Sequence, residues 1–411
     1  MSRPGSGSPF PLSFTISMPS KRLPVQELCD TIVDLLCYDR YNLGKMACAS
    51  SSFAPRAQSH LFRKLILPLT GIYGKDKSVV ITQRLVNTMK SSPHLIPMVE
   101  ILSFELAEPP ALDLLASIPW QRVHQLHLPV ESHASGFNPE SVKTLISLPS
   151  VRHVQLAYGW GTQYHRHEVF GLLSHLNPGV EVLELKHIAV KCSPSNPSYS
   201  RSIPEARDDP IPPPPHSRAV VPRLCRLMLM QTGGDFLCEP ACPLDLSVLH
   251  ELKAYWLGRA DVLFSTVSPT VCKLTVGEVD GLEHFSINLL HNITDIHCDG
   301  FGTYSRLHHL FDHVAPDNRI TNIYITTLSD RIEWNEKPDK WDDFVVVAGD
   351  LETAVLARLP VLQKVSIKVK IHHLFFDQKR QELQTKAEDA FSRLVKQNML
   401  EVSFEAVYQY Y

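Results

Sequence analysis

Two short clusters in this chain carry side chains able to hold a metal ion. His165 and His167 are followed directly by Glu168, and Cys238 stands four residues before Cys242. Imidazole and thiolate suit zinc, but a zinc site needs a second Cys or His pair, and neither cluster brings one. His167 and Glu168 open a helical pattern, where a capping, solvated role is more economical. No metal and no other cofactor is therefore expected. His124 with His127, His308 with His309, and His372 with His373 also lack partner clusters, and read as surface or edge residues. Compact catalytic signatures are missing: the sequence has no G-x-S-x-G, no G-x-x-x-x-G-K-[ST], no G-x-G-x-x-G and no H-E-x-x-H. The carboxylate pair Asp342 and Asp343 lies beside Trp341 in polar, loop-like sequence. A triad assembled from distant residues would leave no such trace. The expectation is nevertheless a protein that binds and is not an enzyme, because repeats of the kind found here are mostly binding scaffolds.

The composition sets the same direction. With 40 basic and 43 acidic residues the formal net charge is −3, which lacks the basic excess that nucleic acid or an anionic membrane demands of a partner. Hydrophobic residues at 44% against charged residues at 20% suffice to bury a core and argue against wholesale disorder. No run approaches the ~18 apolar residues that cross a bilayer. The opening MSRPGSGSPFPLSFTISMPSKR is rich in Ser and Pro without a long apolar region, so no signal peptide is read. A cytoplasmic and/or nuclear location follows as the expectation, with the scattered cysteines as small buried apolar groups.

Along the chain, residues 1–20 read as a disordered tail. Residues 21–67 then read as a small helical domain. Leu28, Ile32, Leu35 and Leu36 recur at helical spacing behind Leu23 and Pro24, and Pro24 sits where a first-turn proline is tolerated. Asp39 and Asn42 mark a turn or cap before two further short helices carrying Leu43, Met46, Ala47, Phe53, Leu61 and Phe62.

Behind this a different pattern repeats over 68–411. A run of form Φ-x-x-Φ-x-Φ, Φ being apolar, recurs about eleven times: VEILSF from Val99, VHQLHL from Val123, VRHVQL from Val151, VEVLEL from Val180 and so on to MLEVSF from Met399. Most starts lie about 22 to 29 residues apart, the length of one strand-plus-helix unit, which predicts an irregular α/β solenoid. Residues 191–222, with four consecutive prolines, read as a disordered insert because proline cannot donate to a ladder. A single long helix is expected near the C-terminus over DQKRQELQTKAEDAFSRLVKQ. In each run the Φ residues face the core and those between them face outward. Outward positions include Glu184, Lys186, Arg226, Glu251, Lys253, Lys273 and Asp295, and His127, His153, Tyr255, Tyr324, Lys364 and Lys368 are taken as target contacts. A face of mixed charge with a few aromatics suits a protein or peptide better than nucleic acid.

Residues 23–67 resemble an F-box of the fungal type. The residues that carry the resemblance are Leu23-Pro24, Glu27-Leu28, Ile32, Asp34-Leu35, Leu43, Ala47-Cys48-Ala49 and His60-Leu61-Phe62. The repeats look like the leucine-rich domain that often follows an F-box, although none carries the Asn or Cys that normally follows its core. Gly44 falls inside a helix, and Phe53 stands where related sequences often have Trp. The resemblance implies a substrate receptor of an SCF-type cullin–RING ubiquitin ligase. It would dock on a Skp-type adaptor, and through it a cullin, by Leu23, Pro24, Leu28, Ile32, Leu35, Leu43, Leu61 and Phe62. The solenoid would bind a protein target. The alternative is a leucine-rich scaffold acting outside any ligase.

Overall fold

Proline has a fixed φ and no N–H, which fits it to the first turn of a helix. In the computed structural model α1 spans Pro24–Leu35. The Asp39 side chain accepts the Asn42 N–H at 3.0 Å and so starts α2, Arg40–Ala49. The third helix, α3, is Ala54–Arg63. Val33, Leu43 and Ala57, one from each helix, form the core of this unit, and Leu36, Met46, Ala47, Phe53 and Leu61 pack around it. Asp34 ties α1 to α3, accepting from Arg56 Nε at 2.6 Å and Nη2 at 2.9 Å, with His60 Nε2 2.8 Å away.

The structure describes residues 24–67, 75–104, 109–130, 139–159, 163–190, 220–255, 260–277, 287–299, 307–312, 314–329, 340–372 and 376–407. The expected tail, Leu23, Glu105, and the proline-rich insert over 191–219 lie outside them. Two compact units divide between Arg63 and Lys64.

The second unit is built on a twelve-stranded sheet in which every pairing is parallel and each strand lies beside its predecessor in the chain. Its strands are β1 Lys64–Leu67, β2 Ile101–Phe104, β3 Gln125–Val130, β4 His153–Tyr158, β5 Val182–Lys186 and β6 Arg226–Met230. They continue with β7 Glu251–Tyr255, β8 Lys273–Val276, β9 Asp295–Asp299, β10 Asn322–Ser329, β11 Lys364–His372 and β12 Leu400–Val407. Each Φ-x-x-Φ-x-Φ run forms one of these strands. Leading residues Val123, Val151, Val180, Leu224, Leu249, Val271, Ile293 and Ile320 are no more than 2% exposed, as are the central Leu126, Val154, Leu183, Leu227, Leu252, Leu274, Ile296 and Ile323.

The strands β3 to β11 also begin in the same way. One backbone carbonyl accepts two successive N–H groups from the next turn of chain, at 2.8–3.2 Å: Glu100 from His124 and Gln125, His124 from Arg152 and His153, and Arg152 from Glu181 and Val182. The series runs on through Glu181, Cys225, His250, Cys272, Thr294 and Thr321 to Gln363 and Lys364. Thr294 and Thr321 add their hydroxyls to it, each 3.2 Å from the preceding carbonyl. This satisfies the backbone where the chain turns into these nine strands.

Between strands the chain forms α4 Lys75–Ser91, α5 Pro109–Ala116, α6 Pro139–Ile146, α7 Arg166–Leu173, α8 Asp261–Val267 and α9 Leu307–Asp312. They bury Val142, Leu145, Val169, Phe170, Leu263, Phe264 and Phe311 in the core that the inward strand residues share. Asp342 and Asp343, expected in a loop, fall within α10, Lys340–Arg358. The single C-terminal helix is in fact two, α11 Phe376–Ala390 and α12 Ser392–Lys396, broken at the buried Phe391. Glu352 of α10, itself buried, accepts the Arg393 and Leu394 N–H groups at 2.8 and 2.9 Å and so caps α12.

Two boundaries differ from expectation. Lys64–Leu67, assigned from sequence to the helical domain, pairs with β2 and belongs to the sheet. Pro222, assigned to the insert, is buried, and its carbonyl accepts the Asp245 N–H at 2.9 Å. Among the described residues no helix is long and apolar enough to cross a membrane.

Candidate functional site

The apolar side chains of α1 divide between two faces. Val33 is fully buried and Leu36 packs against the three-helix core, whereas Leu28 is 62% exposed, Ile32 39% and Leu35 80%. At about 100° per residue, positions 28, 32 and 35 fall within an arc of about 60°, so they form one stripe. Tyr38 and Tyr41 in the turn and helix that follow are also exposed, and Lys45 Nζ lies 4.0 Å above the Tyr41 ring. Neither tyrosine was singled out from sequence, although two aromatics flanking a capping Asp are a readable signal. The remaining expected contacts do not share the stripe. Leu43 is fully buried in the core, so it cannot contact a partner; it stands on the inward face of α2, and helical spacing alone does not say which face is inward. Leu61 packs against that core and Phe62 is half-buried. Pro24 stands in the first turn of α1.

On the sheet, parallel register lines up the outward side chains in rows across the strands. His127 and His153 meet edge to face with ring centroids 5.8 Å apart, and His153 Nε2 lies 3.0 Å from Glu184 Oε1. His127 is held between Ser103 Oγ, 3.4 Å from Nδ1, and the Gln125 amide, 2.7 Å from Nε2. Burial, with the nearby His153, lowers the His127 pKa to about 4, so this ring is neutral at pH 7. Further along, the Tyr255 ring lies over Gly277, where a Cβ would come 1.7 Å from Cδ1 of the ring. Only glycine leaves that space, and it lets the Tyr255 hydroxyl donate to Asp299 Oδ2 at 3.3 Å. Tyr324 stacks on His297 with centroids 4.3 Å apart. Lys364 and Lys368 reach across to the terminal strand, pairing with Glu401 at 2.6 Å and Glu405 at 2.7 Å. The expected target contacts thus share a face but fall into separate groups.

One feature of this face is invisible to alternation. Glu251 occupies an outward position, yet its side chain is only 4% exposed, because three cations close over it. Arg226 Nε donates to Glu251 Oε2, and Lys273 Nζ and Lys253 Nζ stand 3.4 and 3.7 Å from Oε1. Burial pushes this carboxyl up, but Arg226, Lys273 and Lys253 outweigh it and hold the carboxyl below its usual value.

Of the two metal-like clusters, the one at His165 to Glu168 has another use. The His165 backbone N–H donates to Glu168 Oε2 at 2.9 Å, which caps α7. Burial raises both the Cys238 and Cys242 thiols, Cys242 to about 12. Among the described residues no group of three or more His, Cys, Asp or Glu side chains could hold a metal ion. Comparison with models of known protein families and with curated proteins finds no match for this chain.

Proposed function

We propose that the chain is an F-box-like, leucine-rich-repeat-like receptor. In this reading α1 to α3 dock on a Skp-type adaptor of an SCF-type cullin–RING ubiquitin ligase, and the sheet face receives a protein target. The observation that carries it is the stripe of Leu28, Ile32 and Leu35, left uncovered by the core of its own unit. Burying each such side chain contributes roughly 1.5–3 kcal/mol, so three on one helix face can anchor a groove-bound interface. The repeated strand starts and the polar outward rows support a binding scaffold behind it, and the ubiquitin chemistry would belong to other subunits. Affinity capture of the full-length protein should recover an adaptor and a cullin in one complex. Adaptor without cullin would favour a scaffold outside the ligase, and the absence of both would remove the proposal.

A further inference from the structure

The outward positions of β5 to β8 carry four basic side chains, Lys186, Arg226, Lys253 and Lys273, and two acidic ones, Glu184 and Glu251. The carboxylates lie underneath: Glu251 is 4% exposed and Glu184 17%, against 46% for Arg226, 37% for Lys273, 29% for Lys253 and 23% for Lys186. Each carboxylate is surrounded by nitrogen groups, Glu251 by the three cations already described and Glu184 by the His153 ring at 3.0 Å and the Lys186 ammonium at 3.7 Å. Two positive charges remain in excess on the solvent side, in a chain whose net charge is −3. The strip has a defined end. On β9 the sign turns, with Asp295 held by Thr294 Oγ1 at 2.6 Å and Asn322 Nδ2 at 3.0 Å, and Asp299 by Tyr255. Four strands at about 4.8 Å spacing span roughly 15 Å, the reach of four or five extended residues.

We propose that this strip receives an acidic segment of a protein, its carboxylate or phosphate oxygens lying over Lys186, Arg226, Lys253 and Lys273. The inference rests on the reading of the sheet face as the target-binding surface and names the chemistry of that target. Fixed cations around a submerged carboxylate need little reordering to meet an anion, and half-buried Met228 supplies apolar contact between them.

The test is fluorescence anisotropy on the full-length protein with labelled hexaglutamate, the same peptide with two phosphoserines, hexalysine, and a single-stranded DNA oligonucleotide. Both acidic peptides should bind, more weakly as salt rises, and hexalysine should not. Tighter binding of the phosphoserine peptide would assign phosphate as the preferred group, and equal binding would assign carboxylate. Lys186→Gln with Lys253→Gln leaves each carboxylate its closer partners and should weaken binding roughly tenfold. Met228→Glu removes no member of an ion pair, adds a repelling charge and should abolish binding. No binding of either acidic peptide, unchanged affinity in both folded variants, or tighter binding of the oligonucleotide would overturn the proposal. Adaptor capture is read in parallel. Its loss with peptide binding intact would remove the receptor reading alone, and the reverse would remove the acidic-segment proposal alone.

Discussion

Leu28 and Leu43 are both apolar helix residues in the same small unit, but they have opposite tolerances. Leu28 is 62% exposed and Leu43 is fully buried. Leu43→Asp would place an unpaired charge in the core at a cost of several kcal/mol and should unfold the three helices, whereas Leu28→Asp should leave them folded. Near-ultraviolet and far-ultraviolet circular dichroism separates the two outcomes. His127 makes a second prediction at this scale. Its folded pKa of about 4 lies below the ordinary 6.5, so between those values the unfolded chain takes up a proton that the folded chain refuses. Its contribution to stability is therefore complete above pH 6.5 and is lost as pH falls towards about 4. The thermal midpoint should decline over that window, and His127→Gln should decline less steeply; equal slopes would exclude His127 as a source. Asp34, held near 2 by Arg56 and His60, acts in a lower window, from about 3.8 down to about 2.

Glu352 shows how much one buried carboxylate decides for an element. Glu352→Ala would orphan the N–H groups of Arg393 and Leu394 and should lower stability by about 1–3 kcal/mol in urea unfolding, with Glu352→Gln recovering most of the loss. The cap is also why the C-terminal helix is two helices. Helical periodicity continues through Phe391, so the break is visible only when α10 supplies an acceptor to the chain behind it. The strands were far more legible, because the Φ-x-x-Φ-x-Φ spacing records burial on one face directly, and each run located a strand. Phe62-Arg63-Lys64-Leu65-Ile66-Leu67 has that same form and supplies β1, but its start overlaps α3, and a helical reading extended to Leu67 hid it. On the sheet face, alternation pointed Glu251 outward correctly, but it could not show that Arg226, Lys253 and Lys273 would cover it. That arrangement depends on which strands become neighbours, a long-range fact that no local spacing contains.

At the scale of the whole chain, the boundary at Arg63–Lys64 separates a helical unit with its own core from a parallel sheet of twelve strands. A fragment from Lys64 to the C-terminus retains β1, while one starting at Pro68 strips it from β2 and uncovers a strand edge whose Leu102 and Phe104 are buried. The longer fragment should therefore show the higher midpoint and stay soluble at concentrations where the shorter one aggregates. Equal behaviour would return Lys64–Leu67 to the helical unit. The central claim concerns the exposed stripe of α1, and one measurement addresses it directly: quantitative capture of a purified Skp-type adaptor by wild-type protein and by Leu28→Asp, with circular dichroism showing both folded. Every 1.4 kcal/mol is about tenfold in affinity, so losing one buried anchor and desolvating an unpaired charge should take capture by Leu28→Asp below detection. Capture of adaptor by folded Leu28→Asp at the wild-type level would contradict the claim.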